Sequence, residues 1–318
     1  MWGDWHQLWE IATLPDNVPI TALLFLAPFY TWYAFKQAFA TDRLIEELEK
    51  DQQTAKTHHR KVFPWKQGWD REVHTWPYLM RIEFLAAIIV TVILTVWSIT
   101  LNAPLEEPAN PNLTMNPAKA PWYFLGLQEM LVYFDPWIAG VVMPTLIIIG
   151  LMAIPYIDVN PLGNGYYTYK QRKFAIWAFI FGFLILWVAF IIIGTFIRGP
   201  GWMWFWPTQT WDHNRLVFEV NRDLHQIVPF SYLVPPRQPW VGIFGALVVG
   251  AYFAIAGYLM HWVCMATEFS RKIYARMTLL QIITLHALMI LMFSLPIKMV
   301  ARLLFRIKNV WVTPWFNV

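Results

Sequence analysis

The chain is short of charge. Only 14% of its 318 residues are Asp, Glu, Lys or Arg, against roughly a quarter in an ordinary soluble domain. That deficit is too large to come from a bigger core, and it excludes a water-soluble globule. Cysteine is almost absent: Cys264 stands alone. An internal disulfide, a cysteine-held iron–sulfur cluster and a Cys-x-x-Cys-His haem attachment are thereby excluded. No zinc-type ligand spacing, internal repeat or low-complexity tract is present. Residues 1–16 are acidic and Trp-rich and lack a basic start, so no cleavable signal peptide is expected.

What the sequence has in abundance is apolar residues, 58% of the total, with a mean hydropathy of +0.41. They gather into runs near 18–40, 82–101, 137–157, 174–197, 240–263 and 277–300. About 20 residues of helix cross the ~30 Å hydrocarbon layer. A lone strand would leave its backbone unpaired in lipid, so each run is expected to be helical. The expected fold class is all-α, a polytopic membrane protein with about six transmembrane helices.

Net charge is +4 and the isoelectric point about 9.1. The basic residues are spread over inter-helix loops, which points to orientation in a bilayer and not to nucleic acid. Arg43, Lys50, Lys56, Arg60, Lys61, Lys66, Arg71 and Arg81 lie between the first two runs. Lys170, Arg172 and Lys173 precede the fourth, and Arg271, Lys272 and Arg276 precede the sixth. The alternate loops are poorer, so the N-terminus and the 102–136 loop are expected outside. Lys298, Arg302, Arg306 and Lys308 oppose that orientation unless Pro296 breaks the last helix and the tail lies in the interface. Residues 41–57 are expected to form a cytoplasmic helix capped by Thr41 or Asp42. After Arg198, residues 199–207 crowd Trp202, Trp204 and Trp206 around Phe205, either as an aromatic belt at headgroup level or as a docking surface for a partner.

The most informative stretch is 117–141, PAKAPWYFLGLQEMLVYFDPWIAGV. With Pro117, Pro121 and Pro136 beside Trp122 and Tyr123, it must lie among headgroups or against protein. Ala120-Pro121-Trp122-Tyr123-Phe124 resembles the Pro-Glu-Trp-Tyr-Phe motif of cytochrome b. Ala139-Gly140-Val141 falls at the matching distance, and Pro155 to Pro161 followed by Arg172 and Lys173 matches the end of the next helix. Residues 82–198 thus resemble an E–F–G helix unit, the C-terminal half of cytochrome b, which stands alone as subunit IV in bf-type complexes. The expected division is 1–81 (a first helix and basic segment), 82–198 (the subunit IV-like unit) and 199–318 (a Trp-rich outer loop and two further helices).

The resemblance implies a membrane subunit of a cytochrome bc-type quinol oxidoreductase, not active alone, in a bacterial inner membrane. Its outer loop would line a quinol site with Pro121, Trp122, Tyr123, Phe124 and Tyr133. The family's glutamate falls at Pro121, so its proton-accepting role must be absent or moved. Glu129 is the candidate replacement and Tyr123 the candidate hydrogen-bonding partner of the quinol; Glu129 could instead serve as a cap or pair with a partner subunit. Quinone would be shared with a haem-bearing cytochrome b N-terminal-like subunit, and a Rieske-type or other iron–sulfur or cytochrome c subunit would take electrons, in a multi-subunit complex that could be dimeric. The histidines (His6, His58, His59, His74, His213, His225, His261 and His286) form no pair spaced along one helix, so the b haems are expected in the partner and no metal in this chain. His261 and His286 leave open a haem between the last two helices. The alternative function is a non-catalytic anchor for extramembrane redox subunits. A transporter would be expected to show inverted repeats and midplane polar groups.

Overall fold

The computed structural model describes residues 5–50, 75–103, 105, 108–163, 166–215 and 220–318. Among these, six helices are long and apolar enough to cross a bilayer. In chain order the helices used below are α1 (Trp5–Thr13), α2 (Val18–Lys50), α3 (Thr75–Thr100), the short α4 (Leu125–Met130), α5 (Ile138–Ile157), α6 (Tyr169–Ile197), α7 (Trp240–Ala266), α8 (Glu268–Tyr274) and α9 (Leu279–Phe305). The only strands among the described residues are β1 (Arg222–Asp223) and β2 (Ile307–Asn309), a parallel pair. The protein is an all-α polytopic membrane protein. Every apolar run became a helix because lipid offers no other partner for the backbone.

The chain forms two compact units. One spans 4–114 and 162–177. Within it α1 folds back on α2: Asn17 Nδ2 donates to the Ile11 carbonyl at 2.9 Å and Thr21 Oγ1 to that of Ala12 at 2.9 Å. The expected cap at Thr41 or Asp42 is not where α2 begins or ends, since α2 continues unbroken to Lys50. Asp42 instead caps a different helix. Its carboxylate accepts the Tyr169 and Lys170 backbone N–H groups at 3.1 and 3.0 Å, at the first turn of α6. A first turn has orphan donors and a positive dipole end, and a carboxylate suits both. Residues 51–57 and His58, His59 and His74 lie outside the described residues. Along α3, the Thr91 and Thr95 hydroxyls donate to carbonyls of their own helix at 2.7 and 2.8 Å, so neither is left bare on an apolar helix.

The other unit holds 115–161 and 178–318. Here α5, α7, α9 and the greater part of α6 form the membrane portion. The segments 115–137, 198–215, 220–239 and 306–318 meet at one end. At the other end Gln281 Nε2 reaches the Tyr156 carbonyl at 2.6 Å, and the Tyr274 hydroxyl lies between His261 Nδ1 (3.0 Å) and His286 Nε2 (3.3 Å). Both imidazoles thus face one phenol. Pro296 does not break the last helix, contrary to expectation: α9 runs through it to Phe305 and stops at Arg306, whose backbone is left-handed (φ 59). Membrane helices tolerate proline when neighbours satisfy the freed groups. Lys298 and Arg302, one turn apart, are buried. Lys298 donates to the Lys308 carbonyl and lies 5.2 Å from the Phe134 ring centre, while Arg302 Nη1 reaches the Val220 carbonyl at 3.5 Å. The tail turns back over the bundle as β2 beside β1, and at Gly245 an added Cβ would sit 2.6 Å from Trp311.

Candidate functional site

The loop between α3 and α5 enters the second unit as an extended stretch and tightens into one turn of 3-10 helix, Trp122–Phe124, leading into α4. Gln128 fixes its entry. The Gln128 side chain accepts the Ala120 N–H at 2.8 Å and donates to the Ala118 carbonyl at 2.7 Å, so 118–120 is tied to α4 by both ends of one amide. α4 then lies against α6. An added Cβ at Gly126 would stand 3.4 Å from Ile191, and one at Gly194 only 3.3 Å from the Leu125 carbonyl. Gly194 therefore marks the close approach of the long helix to the short one, while a Cβ at Gly126 would make ordinary contact.

Behind α4 is a buried ionic group. Glu129 is 0% exposed. Arg198, just past the end of α6, meets it as a fork: Nε donates to Oε2 at 3.0 Å and Nη2 to Oε1 at 2.9 Å. The Tyr133 hydroxyl, also at 0% exposure, donates to Oε1 at 2.8 Å. The remaining guanidinium nitrogen, Nη1, donates to the Trp202 carbonyl at 3.1 Å, and the Trp204 ring lies 5.5 Å from the guanidinium carbon. The Trp-rich segment thereby forms a tight reversal over Arg198. Gly199 N–H bonds the Met203 carbonyl and Phe205 N–H that of Ile197, and a Cβ at Gly199 would collide with the Phe205 ring at 2.6 Å. Phe205 is fully buried while Trp206 is exposed.

Burial favours loss of the Arg198 proton, and the hydrogen bonds and charge of Glu129 outweigh it, so the guanidinium stands above its ordinary pKa. Burial first, then the Glu129 carboxylate, push the Tyr133 phenol well above its usual value. Both groups keep their protons at any working pH. Lys119 behaves differently. Its ammonium donates to the Thr195 carbonyl at 2.8 Å and sits 4.6 Å from the Trp211 ring centre. Burial lowers it to about 7, with Glu129 pulling the other way. It exchanges a proton near neutrality where an ordinary lysine would not.

The residues expected to form the site are divided between two environments. Pro121, Tyr123 (57% exposed) and Phe124 (52%) face outward and Trp122 is half-buried. The Tyr123 ring meets those of Trp122 and Phe124 edge-on at 5.8 and 5.4 Å and stands 6.4 Å from Trp187. Glu129 and Tyr133 instead lie in the interior, with Tyr133 in the core cluster of Met130, Phe134, Ile138 and Phe190. Glu129 has both oxygens engaged inside this chain. Arg198 and Lys119, which complete the group, were readable in sequence only as loop charges.

A family model described as Cytochrome b(C-terminal)/b6/petD matches residues 108–196. That stretch contains the aromatic corner, α4, α5 and nearly all of α6. This segment resembles the C-terminal half of cytochrome b and its subunit IV form. The six apolar helices fit a multi-pass membrane protein, and the family match covers about a quarter of its length. No solved structure matches the chain.

Proposed function

We propose that this chain supplies one wall of a quinol-oxidising site on the outer face of a cytochrome bc-type complex. The observation that carries the reading is the Pro121–Phe124 corner: an aromatic surface left uncovered by its own chain, inside the cytochrome b-like segment, on a rigid buried base. Quinone sites are apolar clefts with a few placed polar groups, and a half-built cleft fits a subunit whose partner completes it. The partner would be a haem-bearing cytochrome b N-terminal-like subunit. A Rieske-type or cytochrome c subunit would take the electrons, with the assembly in a bacterial inner membrane and the corner facing the periplasm.

In this reading each quinol releases two protons and two electrons. The Tyr123 hydroxyl holds a quinol oxygen, while Pro121, Trp122 and Phe124 shape the wall. Glu129 and Tyr133 act from behind. The Arg198 fork on Glu129, with the Tyr133 hydroxyl bonded to the same carboxylate, fixes α4 and so the direction of the corner. Lys119, in the same loop as the corner, has a lowered pKa that suits proton exchange near neutral pH. Pro121 stands where the family has glutamate, which favours a second reading, an anchor that kept the fold and lost the chemistry.

Quinol-dependent reduction of the acceptor by the purified complex separates the two. Tyr123→Ala should lower turnover at least about tenfold with subunits and haem content unchanged, a size in keeping with a lost positioning contact. Wild-type turnover in the Tyr123→Ala complex would leave only the anchor.

A further inference from the structure

We infer that the groove between α2 and the start of α6 is a binding site for one anionic phospholipid, with the phosphate held by Arg43 and Lys173. The hollow has a volume of about 540 Å³ and is lined by Phe39, Asp42, Arg43, Tyr169, Lys170 and Lys173, all within one unit.

Charge selects the headgroup. Asp42 accepts the two first N–H groups of α6, and Lys170 is paired with Glu46. Arg43 and Lys173 remain, with no carboxylate partner among the described residues. Lys173 lies back over the Tyr169 ring, 5.4 Å from its centre, as a lysine does when its stem runs along apolar surface and its ammonium seeks the polar boundary. Shape selects a lipid over a free anion. Arg43, Phe39 and Phe35 recur every fourth residue on one stripe of α2, and Lys173 and Trp177 do so on α6 beyond its kink at Arg172, with Tyr169 just before that kink. The rings join into a continuous wall: Phe39 to Tyr169 at 5.3 Å, Phe35 to Phe39 at 5.8 Å, Phe35 to Tyr169 at 5.9 Å and Phe35 to Trp177 at 6.4 Å. A cationic mouth above an aromatic lane, where two spanning helices reach the polar boundary, matches a phosphate with an acyl chain below it. Basic pockets between membrane helices bind acidic headgroups in this way.

Native mass spectrometry of the detergent-purified protein, delipidated and titrated with palmitoyl-oleoyl phosphatidylglycerol, tests the site. One phosphatidylglycerol should bind ahead of phosphatidylcholine. Each cation contributes about fivefold to affinity, so Arg43→Gln/Lys173→Gln should weaken binding roughly thirtyfold. Arg43→Gln alone, at an exposed position, should weaken it about fivefold and serves if the double variant fails to fold. Arg237→Gln, a cation elsewhere, should leave it unchanged. Equal binding of phosphatidylcholine, displacement of the lipid by millimolar inorganic phosphate, or undiminished binding in Arg43→Gln would overturn the proposal. So would displacement by an acidic peptide from a partner subunit that leaves no lipid in the native complex.

Discussion

Pro121, Tyr123 and Phe124 turn their side chains out of the bundle, whereas Glu129 and Tyr133, in the same loop, turn theirs in. The outward group makes ring contacts with its neighbours and Trp187. The inward group has its polar atoms engaged, down to the third nitrogen of Arg198. One part of the loop is held and the other is displayed. A surface can stay uncovered and still keep its shape only if something behind it is fixed, and here that is an ion pair taken out of water.

The contrast is broken most directly at Arg198. Arg198→Met would strand the Glu129 carboxylate in the interior, and breaking one side of a buried pair costs about 3–5 kcal/mol. The expected result is a lower unfolding midpoint in detergent and new protease cleavage within 115–134. Replacing both partners, Arg198→Met with Glu129→Leu, should recover most of the loss, because two apolar groups leave no stranded charge. A double variant as unstable as the single one would mean that Arg198 matters through the Trp202–Trp204 reversal and not through Glu129. A smaller break is Tyr133→Phe, which removes one hydrogen bond to a charged acceptor, about 2 kcal/mol. Glu129 keeps its arginine fork in that variant, so the corner should hold its direction and turnover should change less than stability.

How much of this was legible beforehand depends on how local its cause was. The six crossings were readable because lipid permits a long apolar run only one conformation. The aromatic corner was readable because its residues adjoin one another. The Glu129–Arg198 pair was not, since its members are 69 residues apart and no spacing rule connects a short loop helix to the end of a later span. Asp42 was recognised as a cap by type and assigned to the wrong helix, because an aspartate serves any nearby helix start and only the fold decides which. Pro296 was read as a break, yet α9 continues through it with Lys298 and Arg302 buried under the returning tail. Nothing adjacent in sequence marks Lys119 as different from any loop cation. Its burial beside Trp211 and the Thr195 carbonyl is a tertiary fact.

Lys119 sharpens the comparison through pH. Its pKa is about 7 in the folded protein and about 10.4 in an unfolded chain. Between those values the unfolded chain holds a proton that the folded one has released. Stability therefore rises with pH across that window, by at most about 1.4 kcal/mol per pH unit from this group. Below pH 7 both states are protonated and the contribution is flat. Thermal midpoints of wild type and Lys119→Met, measured from pH 6 to pH 10, should differ by such a slope. Parallel curves would mean that water reaches the Lys119 ammonium.

The smallest expected effect is the most discriminating. Tyr123→Ser and Phe124→Ser alter side chains that are more than half exposed, and substitutions at such positions change stability by about 0.5 kcal/mol or less. If the corner were only part of the chain's own packing, its loss would appear in the unfolding midpoint. If it is a wall awaiting a partner, the midpoint of the isolated chain should stay in place while association with the partner subunit, or the affinity for quinol in the assembled complex, declines. A large drop in the isolated chain's stability would show that the corner is held from the front as well as from behind, and the division of the loop into a fixed base and a displayed surface would fail.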